Sequence, residues 1–446
     1  MSTLLNLKMA NSAAAADLSS GSNDYKTVVC IFLQGGMDSF NVLVPRDSTA
    51  PGSQYANYQA SRTDLALPFD DLLPLDGTPH GLHPATAELQ ELYNGIGGDP
   101  SKRRLSFVSN LGTLIRPTTM EDYRAGRHLP QALFSHIDQI EQWQTSLPQS
   151  GTQLTGWAGR AADVLHSQLN QDLTSMSISF AGNDIFQVGQ TTQQFVMTPG
   201  GALSYSDASS NPTHPGAIKN AALKSMMEQE YASLMEQSFA DLTESSVEQQ
   251  EFVQKQFSAV ELPAGSPSFP PGRLGPQLEA AFKMINIRQQ LGLRRQTIFV
   301  SFGGWDHHGE LLNTQDGMLR VLSPAIGAFQ AALEHAGLQD SVVTFTASDF
   351  GRTLRSNGRG SDHAWGGNQM VLGGPVDGGK ILGTYPDLAL DQGADVGRGG
   401  RLLPTTSIDE FYAEILKWFG IGSSSLNLVL PNYSNFNINP PLAMMK

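Results

Sequence analysis

The stretch TVVCIFLQGGMD, Thr27–Asp38, carries seven uncharged and mostly apolar residues and then breaks into two glycines and an acid. A strand with one face in water alternates polar and apolar side chains. An unbroken run predicts a strand buried on both faces, as in a parallel sheet. Three other runs end in the same way. RLSFVS (Arg104–Ser109) stops at Asn110-Leu111-Gly112, and SVVTFTAS (Ser341–Ser348) stops at Asp349-Phe350-Gly351-Arg352. TIFVSF (Thr297–Phe302) stops at Gly303-Gly304-Trp305-Asp306-His307-His308. Helical periodicity lies between the runs: Leu278, Phe282, Ile285 and Leu291 precede one strand, and Leu319, Leu322, Ile326, Phe329 and Leu333 precede another. That alternation predicts an α/β fold with a mostly parallel central sheet flanked by helices. Ligands of open α/β sheets bind at the carboxyl ends of the strands, so all four terminal clusters are expected on one edge.

Composition sets the outer bounds. With 446 residues and 40% hydrophobic content, the chain can bury a large core. A formal net charge of −14, with no long run of Lys or Arg, argues against a nucleic-acid partner and against an anionic membrane surface. No window approaches the roughly 20 apolar residues of a membrane span. The single cysteine, Cys30, lies inside the first apolar run and reads as a buried thiol without an internal disulfide partner. Residues 24–446 read as one domain. Residues 1–23 combine a short apolar patch with an Ala/Ser stretch but lack a basic leading segment, which predicts a flexible N-terminal arm or the remnant of an export signal.

Residues of about 170–275 read as a helical insertion. Within them, Ala217–Phe257 has a long helical pattern with Leu223, Met226, Met227, Leu234, Met235, Phe239 and Leu242 on one stripe, read as core packing.

The chemistry gathers at the strand ends. Asp306 and His308 are two apart, so on an extended segment both point the same way while His307 faces elsewhere. Asp38 follows two glycines that permit a sharp turn and close backbone approach. Asp349 ends its strand, and the planar fork of Arg352 suits an anionic group. His363 sits in the Gly-rich loop RSNGRGSDHAWGGNQ beside Asp362 and Trp365, where the loop can fold back over the same edge. Asp38, Asp306, His308, Asp349 and His363 together give mixed oxygen and nitrogen ligation. That set suits one or two divalent ions, Zn²⁺ or Mn²⁺ better than Ca²⁺. His136, in FSHIDQIEQW, reads as a structural histidine on a helix.

The motifs FLQGGMDSFNVLVP, GLHPA, FSHIDQIEQWQ, TGWAGR, GGWDHHGE, SDFGRTLRSNGRGSDHAWGGNQMVLGG and PTTSIDEFYAEILKWFG run from about residue 27 to the C-terminus. On these the chain resembles the bacterial domain-of-unknown-function family 1501, grouped with the alkaline phosphatase-like superfamily. The resemblance implies an alkaline phosphatase-like fold and a metal-dependent hydrolase of phosphate or sulfate esters, acting on a small-molecule or glycan ester. It places Asp38, Asp306, His308, Asp349 and His363 in the order of the superfamily's metal ligands. Phe350 stands where that pattern has a second His, which implies an altered second ion site. Asn110 stands near the place of the superfamily's Ser or Thr nucleophile, leaving Thr113, Ser109, Ser39 or a water as the attacking group. Arg352 or Asn110 would steady growing negative charge, and Cys30 lacks the Cys-x-Pro-x-Arg setting of a sulfatase nucleophile. The resemblance also implies a protein partner encoded nearby and a periplasmic location, although no paired arginine stands near the start and a cytoplasmic location is the alternative. The competing function is a non-catalytic binding or assembly protein that retains the fold.

Overall fold

The computed structural model describes residues 24–151, 155–170, 174–202, 211–436 and 441–446, so the arm expected at 1–23 lies outside the described residues. Among the described residues the main sheet has ten strands. In chain order they are β1 (Lys26–Leu33), β2 (Leu105–Gly112), β3 (Ser177–Ser179), β4 (Phe195–Thr198), β5 (Gly201–Ala202), β6 (Arg295–Ser301), β7 (Val342–Ser348), β8 (Gly367–Leu372), β9 (Ile381–Leu382) and β10 (Thr406–Ser407). Their spatial order is β9-β2-β8-β7-β1-β6-β3-β4-β5, with β10 on β2. β1 pairs in parallel with β7 on one side and β6 on the other. β8 runs antiparallel to both β7 and β2. The two reversals leave β2 pointing the same way as β1, β6 and β7. The chain therefore has the mostly parallel sheet with packed helices that its sequence pattern and its resemblance imply.

Burial explains the unbroken apolar runs. Every residue of β2, β7 and β8 is buried, and β1 is buried from Thr27 onward. Cys30 aligns with Phe299 of β6 and Phe345 of β7, so these three share one face of the sheet. That face meets an aromatic layer in which Trp157 contacts Phe345 and Tyr412, and Phe32 lies 5.0 Å from Trp143. The layer is delivered by helices α2 (His136–Thr145), α3 (Trp157–Leu169) and α8 (Ile408–Phe419). Elsewhere α6 (Gly275–Asn286) and α7 (Leu311–His335) pack on each other, and α6 also packs on β6. A smaller three-stranded sheet (Leu43–Pro45, Leu73–Pro74, His80–Leu82) lies near α1 (Gln54–Arg62).

Two details differ from the sequence pattern. β2 does not stop at Ser109 but continues through Asn110 to Gly112, because β8 and β10 keep pairing with its last residues. The region about 170–275 is not wholly helical: β3, β4 and β5 extend the main sheet before the helices α4 (Pro215–Met227) and α5 (Leu234–Ser258). The apolar stripe on those two helices is largely in water, with Leu234 and Met235 each 83% exposed and Phe239 73% exposed. Amphipathic period fixes which side chains share a face, and nothing in it says that the face is covered.

Candidate metal centre

The carboxyl ends of β1, β6 and β7 converge on one rim. Beyond the sheet the chain leaving β1 stays beside the chain leaving β6, since Gln34 C=O accepts from the N–H of both Gly304 and Trp305 at 3.1 Å. Gly35 makes that contact sterically permissible. It has φ of +121°, and a Cβ there would sit 2.6 Å from Asp306 N. Gly35 is thus what lets Asp306 cross the strand end, while Gly36 leaves room for the Phe350 ring.

Asp306 is the hub. Its Oδ1 accepts from Arg352 Nη1 at 2.7 Å and lies 3.0 Å from His308 Nε2 and 3.3 Å from His363 Nε2. Its Oδ2 lies 3.5 Å from His136 Nε2. His136, Asp306 and His363 each present a ligand atom within 4.8 Å of the others. His308 adds its own Nε2, 2.9 Å from His363 Nε2. Burial alone would resist ionisation of Asp306, but the Arg352 guanidinium, by hydrogen bond and by charge, outweighs it and holds the carboxyl below the usual range.

Each imidazole is oriented from behind. His363 Nδ1 lies 2.8 Å from the carbonyl of Phe134, which can only accept, so Nδ1 carries the proton and Nε2 is left with a lone pair. His136 Nδ1 lies 2.6 Å from Asp349 Oδ2, and His308 Nδ1 lies 3.3 Å from Asp362 Oδ1, so each ring has an acceptor behind it. Three Nε2 atoms consequently converge on one carboxylate. Two of them, on His308 and His363, approach to 2.9 Å, a contact that repels unless a cation or proton lies between them. In tetrahedral zinc coordination, bonds of 2.0–2.1 Å put neighbouring ligand atoms about 3.3 Å apart. The separations of Asp306 from the three imidazoles and of His308 from His363, 2.9 to 3.5 Å, lie around that value, and His136 and His363 present ligand atoms within 4.8 Å of each other. Neutral imidazoles plus one carboxylate, each imidazole held by an outer acceptor, are a donor set that fits a borderline divalent ion.

Local backbone explains how distant residues arrive. The Gly-rich loop returns as a hairpin-like excursion in which Arg352 and His363 form an isolated antiparallel bridge, with Thr353 N–H donating to Asp362 C=O at 2.9 Å. Gly360 lets it close against the Asp306 segment, since a Cβ there would sit 2.4 Å from His307 O. Phe134 takes φ of +75°, rare for an aromatic residue, and this turn aims its carbonyl at His363. Phe350 is buried against both the His136 and His363 rings, with centroids at 4.8 and 4.5 Å. It forms an apolar wall where the resemblance implies a further ligand.

The remaining sequence candidates fall as follows. Asp349 is buried one step behind the ring, accepting from Gly35 N–H at 2.8 Å and from His136; burial pushes its carboxyl up, against the pull of those donors. Arg352 is buried, and its donors go to Asp306, Gly35 C=O, and the hydroxyl and carbonyl of Ser361. Asp38 is not brought to the ring: its carboxylate pairs with Arg62 Nη2, both side chains being almost fully buried. Asn110 is locked inside the sheet at φ of +45°, its amide donating to Leu403 C=O at 2.7 Å. Thr113 is buried with its hydroxyl on Gln139 at 3.1 Å, lining a cavity of about 30 Å³ behind Asp349. His307 faces inward and is buried, away from Asp306 and His308. In the sequence His136 reads as structural and Asp362 is named only as a neighbour of His363, with no sign of the Phe134 carbonyl. The only local signal for His136 was its place inside one of the motifs that carry the resemblance.

Fold and site together define an α/β protein with a His/Asp cluster on the carboxyl rim of a mostly parallel sheet. The chain belongs to the family described as "Protein of unknown function (DUF1501)", whose sequence profile matches residues 118–428. No curated protein matches the chain. Solved structures similar to it include the PsFucS1 sulfatase from Pseudoalteromonas sp., at 10% identity over 86% of this chain and 69% of that one, with a TM-score of 0.32. The lipoteichoic acid synthase LtaP from Listeria monocytogenes matches at 10% identity over 87% and 76%, also at 0.32. The C-terminal periplasmic domain of EcEptC from Escherichia coli, in complex with Zn, matches at 12% identity over 80% and 74%, at 0.31. At such TM-scores the likeness carries no argument about activity. No helix among the described residues is long and apolar enough to cross a membrane.

Proposed function

We propose that the protein is a metal-dependent hydrolase of phosphate or sulfate esters, with one divalent ion held by His136, Asp306, His308 and His363. The observation that carries this reading is the convergence of three imidazole Nε2 atoms on Asp306, each ring held at Nδ1 by an outer acceptor. A divalent ion bound there supplies Lewis acidity toward an ester oxygen and lowers the pKa of a nearby water. The chain's own groups set up the site. Asp349, Asp362 and the Phe134 carbonyl fix the proton on the far nitrogen of each ring, and Arg352 holds Asp306 ionised and in place. Phe350 excludes water from one side of the His136 and His363 rings.

In this reading Asp349 and Arg352 are positioning residues, while Asp38, Asn110 and Thr113 are framework around the site. The attacking group is then a water and not a side chain: the hydroxyl of Thr113 and the amide of Asn110 are engaged in buried hydrogen bonds, Ser39 Oγ accepts from Asn368 N–H, and Ser109 is fully buried within β2. The test is element analysis of the purified chain with a panel of phosphate and sulfate monoesters. Stoichiometric Zn or Mn with turnover that Asp306→Ala abolishes supports it. Turnover that survives Asp306→Ala and His363→Ala removes it.

A second reading, a binding or assembly protein, is favoured by the exposed apolar stripe on α4 and α5, where Leu234, Met235 and Phe239 stand in water. Chelation separates the two: an enzyme loses turnover, whereas a scaffold loses only thermal stability.

A further inference from the structure

A cavity of about 700 Å³ opens beside the His/Asp cluster, within the range typical of small-molecule sites. Its floor is the end of β1 and β6, with Phe32, Gln34, Phe299 and Ser301, and its outer wall is the loop from Ala181 to Gln194. Helix α2 ties it to the cluster. His136, Ile140 and Gln144 follow one another at steps of four, so they form one stripe along the helix, and the last two line the cavity. Four helical residues rise about 6 Å, so the cavity begins one turn from the His136 imidazole. Gln34 leads to the same place from the sheet, since the next residue, Gly35, donates to Asp349.

The lining has a definite chemistry. Gln34, Asn183, Gln193 and Gln194 offer amides that can both donate and accept, while Phe32, Ile140, Val188 and Phe299 offer apolar surface. Among the described residues no Lys or Arg lines it, so none of them would neutralise an anion there. Asp184 adds a carboxylate with acceptor capacity to spare. It takes the Gln187 N–H at 2.8 Å on Oδ1 and interacts with the Ser179 side chain, while Oδ2 is out of solvent and has no well-formed hydrogen bond among the described residues. A buried acceptor in that state costs free energy until a donor meets it. Burial also lifts the Asp184 carboxyl to about 7, so near neutral pH it can give or take a hydrogen bond.

We propose that this cavity binds a neutral, hydroxyl-rich ring of the sugar class, whose hydroxyls meet the amides and Asp184 Oδ2 and whose C–H faces lie on Phe32, Ile140 and Phe299. It rests on the hydrolase reading in one respect, that the sugar is the alcohol part of the ester presented to the metal centre. An anionic group then belongs at the cluster and the uncharged remainder belongs in the cavity.

The experiment is saturation-transfer NMR on the full chain, zinc-loaded and zinc-free, with glucose, N-acetylglucosamine and cellobiose as probes and 4-nitrophenyl phosphate and 4-nitrophenyl sulfate turnover measured in parallel. The expected result is transfer to at least one neutral sugar in both metal states. Asn183→Trp, a substitution at an exposed lining position, should weaken it at least tenfold with melting temperature and zinc content unchanged. Asp184→Asn, which keeps the shape, should weaken it several-fold. Transfer to none of the three sugars, or transfer undiminished in both variants, overturns the proposal. Sugar binding without ester turnover sinks the hydrolase reading alone, and ester turnover without sugar binding sinks this inference alone.

Discussion

Arg62→Met tests whether Asp38 is part of the framework or part of the ion site. The Arg62 side chain is fully buried on α1, donating to Asp38 Oδ2 through Nη2 and to the Thr353 carbonyl through Nη1 at 3.0 Å. Asp38 Oδ1 already lacks a partner among the described residues, so Arg62 is the carboxylate's one donor there. Methionine keeps most of the volume and removes every N–H. Breaking a buried pair from one side leaves an uncompensated charge and costs about 3–5 kcal/mol. An unfolding entropy of about 2.1 cal/mol/K per residue gives about 0.9 kcal/mol/K for this chain, so the melting temperature should fall about 3–5 °C. Replacing both partners, as Asp38→Leu with Arg62→Met, should recover at least half of that loss, because no orphaned charge remains. Differential scanning calorimetry with a urea titration reads both variants. A fall below 1 °C for Arg62→Met, or a double variant no better than the single one, would refute the argument. The same reasoning expects Asp38→Asn to keep its bound metal, whereas Asp306→Asn loses it.

Removing zinc with a chelator should lower the melting temperature of the wild-type chain and leave His363→Ala unmoved, a difference visible by scanning fluorimetry; equal shifts in both would place the ion elsewhere. Gly35→Ala should destabilise by about 1–3 kcal/mol from its left-handed backbone alone, and more because the new Cβ strikes the Trp305–Asp306 backbone; metal content by element analysis should fall with it. Asp184 has a folded pKa near 7, above the usual unfolded value of about 3.9. The folded state therefore holds the extra proton between those values, and stability falls as pH rises from about 4 to about 7. Asp184→Asn lacks that loss and should gain on the wild type across this window, by at most about 4 kcal/mol at pH 8, with no change in the gap below pH 4. Urea midpoints across that pH range would show it, and a flat difference would refute it.

Much of the sheet was legible because central strands write their burial directly into the chain. β1, β6 and β7 each carry an uncharged, mostly apolar run, TVVCIFL, TIFVS and VVTFTAS, and the break after each marks the rim. β8, GNQMVL, has Asn and Gln after its first Gly, buried on partners supplied by neighbouring strands, the Thr346 hydroxyl for Gln369 and the Asn110 N–H for Asn368, so it carries no such mark. Asp306 and His308 were legible as a pair because two-residue spacing sets direction locally. His136 was not, because its place depends on Trp143 packing on Phe32 two turns further along α2. Asp38 looked the same as Asp306 in sequence, an acid after a glycine-rich break. What separates them is Arg62, an arginine on a helix whose own sequence gives no reason to single it out. The Met-rich stripe was assigned to the core on amphipathicity, which reports a shared face and is blind to what lies opposite.

The ring around Asp306 draws on side chains as far apart as His136 and His363, and each needs its own backing group from yet another turn of chain. During synthesis on the ribosome, the first three hundred residues contain only one of the four donors. If the cluster holds an ion as proposed, a product that stops before the Gly-rich loop lacks His363, and occupancy would report that synthesis had passed that loop.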